Sequence, residues 1–206
     1  QSRQRRFDSD LSLKYIKMNT DLINNLKNHY LEIKCSEKIS LKILTPNKVT
    51  DEYVAWLNDH EIIRYTDLRF GTQNFDSVKK YVTDKYNSIH DLLFGIYYED
   101  KHIGNIRLGA NDLRNNLSFV GYFIGDKSYW GKGIGKEILM KLTAYAFEEL
   151  GLYKIEAEVM SPNIASQKVL MNSGFNLEGI RKNHEIMEEK RYDLLVFTKI
   201  RPSLEN

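Results

Sequence analysis

The stretch from Tyr129 to Gly151, YWGKGIGKEILMKLTAYAFEELG, constrains this 206-residue chain more than any other, because it runs a glycine-rich loop directly into an amphipathic helix. Gly131, Gly133 and Gly135 let the backbone turn tightly and approach a ligand closely, since no Cβ stands in the way. Ile134, Ile138, Leu142, Tyr145 or Ala146, and Leu150 then recur at helical spacing and define a buried stripe, with Gly151 where a C-terminal cap is expected. A helix that begins inside such a loop points unpaired N–H groups and the positive end of its dipole at whatever the loop holds. Lys132 and Lys136 add charge of the sign an anion requires.

A glycine pattern of this kind is either a plain strand-to-helix turn or a phosphate cradle, and its flanks favour the second. LSFVGYFIG (Leu117 to Gly125) and LYKIEAEVMS (Leu152 to Ser161) both read as strands, so the unit is strand, glycine loop, helix, strand. The nucleotide folds do not fit. A Walker loop needs Gly, four residues, then Gly-Lys-Ser/Thr, which is absent, and a Rossmann loop needs a glycine where this chain has Ile138.

Trp130-Gly131-Lys132-Gly133-Ile134-Gly135 resembles the acyl-CoA pyrophosphate loop of the GNAT family of N-acetyltransferases, with Trp130 where the family usually has Gln or Arg, and Lys136 follows it. It is most similar to the branch of ribosomal-protein N-terminal acetyltransferases and nucleotide-amino-sugar N-acetyltransferases. SPNIASQKVLMNSGF (Ser161 to Phe175) resembles the family's Asn-x-x-Ser segment with its helix and Gly-Phe. Glu178-Gly179-Ile180-Arg181 and Arg191-Tyr192-Asp193 are similar to the branch's closing strands. The resemblance covers Leu41 to Ile200. It implies an α/β (α+β) fold whose central mixed sheet is splayed between its fourth and fifth strands, with helices on both faces, and acetyl-CoA as cosubstrate in the opening.

Length allows one substantial core, so residues 39–201 are expected to form the acetyltransferase domain and residues 1–38 an extension, a mobile tail plus a helix. The net charge of +2 gives no bulk electrostatic case for a nucleic-acid or membrane partner. Arg3, Arg5 and Arg6 without interleaved aromatics read as tail, or less well as an RNA-binding arm. Cys35, the single cysteine, fits a reducing compartment; with no apolar run near the roughly 20 residues of a membrane span, a cytoplasmic location is expected. Asn19 or Thr20 can cap a helix from Asp21 to about Lys34, whose Leu22, Ile23, Leu26, Tyr30 and Ile33 need cover from the core or from a second subunit in a homodimer.

Ile39 to Leu44 alternates as a first strand, Asp51 to Asp59 and Asp76 to Tyr86 read as short helices, and Leu92 to Tyr98 with His102 to Leu108 forms a hairpin about Glu99-Asp100-Lys101. Asn111 to Asn116 reads as a loop. The five histidines are dispersed and do not pair at ligand spacing, so no metal is expected.

Amine acetylation needs a neutral amine, an N–H donor for the developing oxyanion and a proton for the leaving thiolate. The resemblance implies that N–H groups near Phe123 and Ile124 hold the thioester and pantetheine, with Gly121 suited to a bulge. It offers Glu158 as the base; alternatively Glu156 and Glu158 are the solvated side of a strand buried through Ile155, Ala157 and Val159. Asn163 caps the next helix and meets the pantetheine arm. Ser166 resembles the serine that some relatives place near the coenzyme A sulfur; where many have a tyrosine acid this chain has Leu170, so Ser166 or a water must substitute, or the thiolate departs unprotonated. Tyr53 to Phe70 resembles the acceptor segment of enzymes acting on nucleotide-linked amino sugars. There Arg64 and Arg69 would grip a diphosphate and Tyr65 or Trp56 would stack, or else Trp56 is core and the arginines are surface. The favoured acceptor is accordingly a small-molecule amine, a nucleotide-linked amino sugar. The alternatives are a ribosomal or other protein N-terminus and, in a different class, a non-catalytic acyl-CoA-binding module.

Overall fold

The described residues form eight strands: β1 (Glu32–Lys34), β2 (Ile39–Ile43), β3 (Leu92–Tyr98), β4 (Lys101–Asp112), β5 (Leu117–Ile124), β6 (Lys154–Met160), β7 (Asn176–Met187) and β8 (Lys190–Ile200). In the computed structural model, which describes residues 21–112 and 114–202, they form one mixed sheet in the order β1-β2-β3-β4-β5-β6-β8-β7. Every neighbouring pair is antiparallel except β5 and β6.

Helices cover both faces. Residues 21–28 form α1, followed by α2 (Asp51–Trp56), α3 (His60–Ile63), α4 (Phe75–Asn87), α5 (Ile134–Glu148) and α6 (Ile164–Asn172). Ile138 and Leu142 of α5 and Leu170 of α6 join Leu41, Phe94, Ile106, Leu108 and Ile155 in the larger core. On the opposite face Tyr53 and Trp56 of α2 pack with Val78 and Val82 of α4, Leu44 and Leu93. The starts are written locally: Thr50 caps α2, Asn74 and Ser77 form a capping box on α4, and Asn163 caps α6. Gly151, at φ 67°, turns the chain after α5, and the Leu152 N–H reaches the Ala146 carbonyl.

Four expectations are corrected. The helix expected to run to about Lys34 stops at residue 28; Tyr30 takes φ 50°, and Glu32–Lys34 pairs with Ser40–Lys42 as an edge strand that buries Ile33. This added strand makes β5 and β6 the fifth and sixth in chain order. Gly121 carries no bulge, because it pairs in register with Arg107; the irregularity lies between Gly109 and Asp112 instead. The stretch read as a loop from Asn111 belongs to β4 up to Asp112. The helix expected from Asp51 to Asp59 ends at Trp56, and α3 and a 3-10 turn over Asp67–Phe70 follow it. The arginines of the tail, and Asn19 and Thr20, lie outside the described residues.

Candidate active site

The parallel pair β5–β6 holds only where Leu117, Ser118 and Phe119 meet Lys154, Ile155 and Glu156. Beyond Phe119 and Glu156 the strands part, although β5 continues to Ile124 and β6 to Met160. One wedge therefore opens toward the C-terminal ends of both strands, where α5 and α6 begin.

The glycine loop lies at the wedge. Gly131 and Gly133 adopt φ 74° and 78°, which favour glycine, and a Cβ added at either would meet nothing within 4 Å. Gly133 is the N-cap of α5 and no side chain caps it, so the first turn of a 15-residue helix keeps N–H groups that no side chain satisfies. Lys132 and Lys136 are exposed, the former 4.6 Å above the Tyr129 ring. Trp130 donates its indole N–H to the Ile124 carbonyl at 2.8 Å, tying the loop to the end of β5. Ile134 is buried beneath the loop as the first residue of the α5 stripe. A cradle of free amides, open space and two lysines fits the pyrophosphate of an acyl-CoA. Gly135 differs from the other two glycines in being enclosed, for a Cβ there would come within 3.3 Å of the Tyr122 hydroxyl and of Val169.

On β5 the side chains split by parity. Val120, Tyr122 and Ile124 pack on the α5 side, whereas Phe123 packs on the α2 side, stacked on Tyr53 at 6.3 Å. Tyr122 is half-buried on the α5 side, and burial pushes its phenol up to about 12. Ser166 is held from below, its N–H donating to Asn163 Oδ1 at 3.2 Å. Asn163 thus acts as the helix cap that its position suggests.

Glu158 projects on the other face, between buried Ala157 and Val159, and pairs with Arg181 at 2.7 Å. Sequence reading missed Arg181 as its partner because the contact crosses β8.

The proposed acceptor wall differs most from expectation. Trp56 is buried in the aromatic core against Tyr53, His102 and Phe123, with its indole so close over Gly125 that a Cβ there would clash; it cannot stack on an acceptor. Tyr65 is half-buried against the cluster of Met160, Met187 and Leu194. Arg69, its side chain 9% exposed, donates to Glu185 at 2.7 Å, to the Thr66 carbonyl at 2.7 Å and to the Ile186 carbonyl at 3.1 Å, with Asp67 at 3.6 Å. Its guanidinium is a strap between the 3-10 turn and β7, not a free grip for phosphate. Arg64 is exposed and meets Glu188 at 3.4 Å. A cavity of 420 Å³ opens beside Arg69, lined also by Asn58, Ile63, Phe70 and Thr72. Among the described residues, no group of three or more His, Cys, Asp or Glu is gathered to hold a metal ion, and no helix is long and apolar enough to cross a membrane.

The model of the acetyltransferase (GNAT) domain matches residues 41–176. YoaA of Bacillus subtilis (strain 168), an uncharacterized N-acetyltransferase, is 26% identical over 175 residues, 81% of this chain and 96% of that protein. The ribosomal-protein-serine acetyltransferase of Escherichia coli (strain K12) is 30% identical over 110 residues, 52% of this chain and 60% of that protein. Among solved structures, the ribosomal L7/L12 alpha-N-protein acetyltransferase RimL in complex with coenzyme A superposes with a TM-score of 0.74 at 20% identity, covering 82% of this chain and 98% of that one.

Proposed function

Because the chain belongs to the GNAT acetyltransferase family, and on that ground is an acetyl-CoA-dependent N-acetyltransferase, we propose that the amine it acetylates is the N-terminus of a protein. The observation that carries this reading is the engagement of Arg69. A nucleotide diphosphate needs guanidinium groups that are free to face it, and here Arg69 is bound by Glu185 and two carbonyls while Arg64 meets Glu188. Each cation of that wall already has its carboxylate, so the wall lacks the positive field that a nucleotide-linked amino sugar would seek. A peptide N-terminus brings its own positive charge and requires no such field. The resemblance to the E. coli ribosomal-protein-serine acetyltransferase supports the same acceptor class.

In this reading the glycine loop from Trp130 to Lys136 holds the pyrophosphate of acetyl-CoA, and the end of β5 around Phe123 and Ile124 holds the pantetheine and thioester. Asn163 meets the pantetheine arm, Ser166 faces the sulfur, and Glu158, on the face toward α2, takes the proton of the acceptor ammonium. The bond between nitrogen and the acetyl carbon forms as the carbon–sulfur bond breaks, and the electron pair departs on sulfur.

The test is thiol release from acetyl-CoA with a serine-initiated peptide and a nucleotide-linked amino sugar offered separately. Turnover with the peptide, and acetylation of its α-amine by mass spectrometry, is expected. Turnover with the amino sugar alone would overturn the protein-acceptor reading.

A further inference from the structure

We propose that the cavity beside Arg69 is a specificity subsite, taking a large uncharged side chain of the acceptor protein at or just beyond its fourth residue. This rests on the reading above that the acceptor is a protein N-terminus whose proton Glu158 takes. Position is the first ground. The cavity is lined from the stretch between Asn58 and Thr72, and Tyr65 of that stretch packs against the cluster that contains Met160. Met160 and Glu158 are two residues apart on β6, so they point to one face of the sheet. On that face Glu158 is level with Val196 of β8, and Glu185, which holds Arg69, is level with Tyr192. Val196 and Tyr192 are four residues apart, or about 13 Å along the strand at about 3.3 Å per residue. An extended acceptor advances at the same rate. With its amine at Glu158, it therefore comes level with the cavity at its fourth or fifth residue.

The cavity is also held in shape before any ligand arrives. Asn58 donates to the Val54 carbonyl at 2.9 Å and to the Gln73 carbonyl at 2.8 Å, and accepts from the Gln73 N–H at 2.8 Å. Those bonds clamp the end of α2 to the chain just past Thr72, while Arg69 ties the other side to β7. The volume of 420 Å³ lies in the lower part of the roughly 300–1,000 Å³ range of ligand pockets, room for part of a chain. Ile63 is a buried wall, and Phe70, 69% exposed, rests with its ring centroid 4.2 Å from the Arg69 guanidinium. The ring is thus fixed on one side and open elsewhere, which spares a ligand the cost of ordering it. Among the lining residues Arg69 alone carries a permanent charge, and Glu185 already neutralises it. A charged side chain would lose its hydration there without gaining a counter-ion. An apolar or aromatic one gains burial against Ile63 and Phe70.

The experiment uses the full chain, acetyl-CoA and serine-initiated peptides of glycine and serine, in which one phenylalanine is moved from the second to the sixth position. Thiol release should show kcat/KM about tenfold higher with phenylalanine at the fourth to sixth positions than at the second, the lower end of what burial of such a side chain yields. Aspartate in the favoured position should bring no gain. Gly71 is extended at φ −158°, and a Cβ there meets nothing within 4 Å, so the G71L variant should fold and fill the cavity. In G71L the positional gain should vanish, and in F70A it should shrink. A gain confined to the second position, no dependence on position, or the same gain in G71L would overturn this inference and leave the protein-acceptor reading standing. If no peptide is acetylated, that reading falls and takes this one with it. Coenzyme A affinity and thermal unfolding of both variants separate these results from a loss of fold.

Discussion

Glu158 on β6 and Arg181 on β7 pair at 2.7 Å although β8 runs between their strands. Glu158 is level with Val196 of β8 and Arg181 with Leu194, so the ion pair lies diagonally across the central strand, on the face away from α5. A carboxylate held in this way is fixed in direction, which a base requires and a merely solvated glutamate lacks. Replacement of Glu158 by Gln keeps the shape and removes the proposed proton acceptor. We expect kcat to fall by about 10²-fold, the usual cost of a lost general base, with affinity for coenzyme A unchanged. Steady-state thiol-release kinetics check this, and an unchanged kcat in the folded variant would move the base elsewhere.

Gly133→Asp introduces a side chain and a negative charge into the open space at the start of α5. At φ 78° aspartate is tolerated at a cost of about 1 kcal/mol, so the fold should persist. Calorimetry should show coenzyme A binding abolished in a protein of native circular dichroism. Unchanged affinity would place the pyrophosphate outside this loop.

Arg69 and Arg64 should separate sharply in stability. Arg69→Ala strips a buried side chain from Glu185 and leaves that carboxylate without its partner, and about 3 kcal/mol should be lost in denaturant unfolding. Arg64→Ala removes an exposed pair and should change stability by less than about 1 kcal/mol. Similar losses in both variants would mean that Arg69 is no strap.

Lys27 of α1 is buried and donates to the carbonyls of Lys85 at 2.9 Å and of Ser88, at the end of α4. Burial lowers its ammonium from 10.5 to about 8, partly offset by the nearby Asp91 charge. Between those values the unfolded chain holds the proton and the folded chain releases it, so folding strengthens as pH rises through this window. Relative to Lys27→Met, the wild type should therefore gain stability from pH 8 to 10.5, on the order of 2 kcal/mol, with the gain fading as pH falls below the lower value. Parallel pH curves for the two proteins would contradict the burial of this amine.

The parts of the fold and site that were legible in the sequence are those governed by neighbours along the chain. Gly133 before α5, the stripe of Ile134, Ile138 and Leu142, and the cap at Asn163 follow from local turn and helix chemistry. Sequence reading leaves Trp56 open between acceptor and core, and Arg69 between grip and surface, for one reason: their environments are made by β4, β5 and β7, far away in sequence, and an aromatic or an arginine has the same letter whether it faces core, strap or solvent. The early end of α1 had the same cause. Ile33 fits an amphipathic helix and an edge strand equally well, and pairing with Leu41 decided between them.

The strand β1 has a consequence for any shortened form of the protein. It occupies the hydrogen-bonding edge of β2, and the Cys35 amide closes the turn onto the Ile39 carbonyl at 2.9 Å. Cut away at residue 38, β2 would become a bare margin of alternating Ile39, Leu41 and Ile43, without the cover that Ile23, Ile33 and Cys35 give the core. Such a margin accepts a strand from any neighbouring molecule. A protein trimmed at residue 38 should therefore precipitate or polymerise by edge-to-edge growth, so preparations and fusions should carry the leading segment even though the proposed acetyl-transfer site is away from that edge, at the β5–β6 wedge.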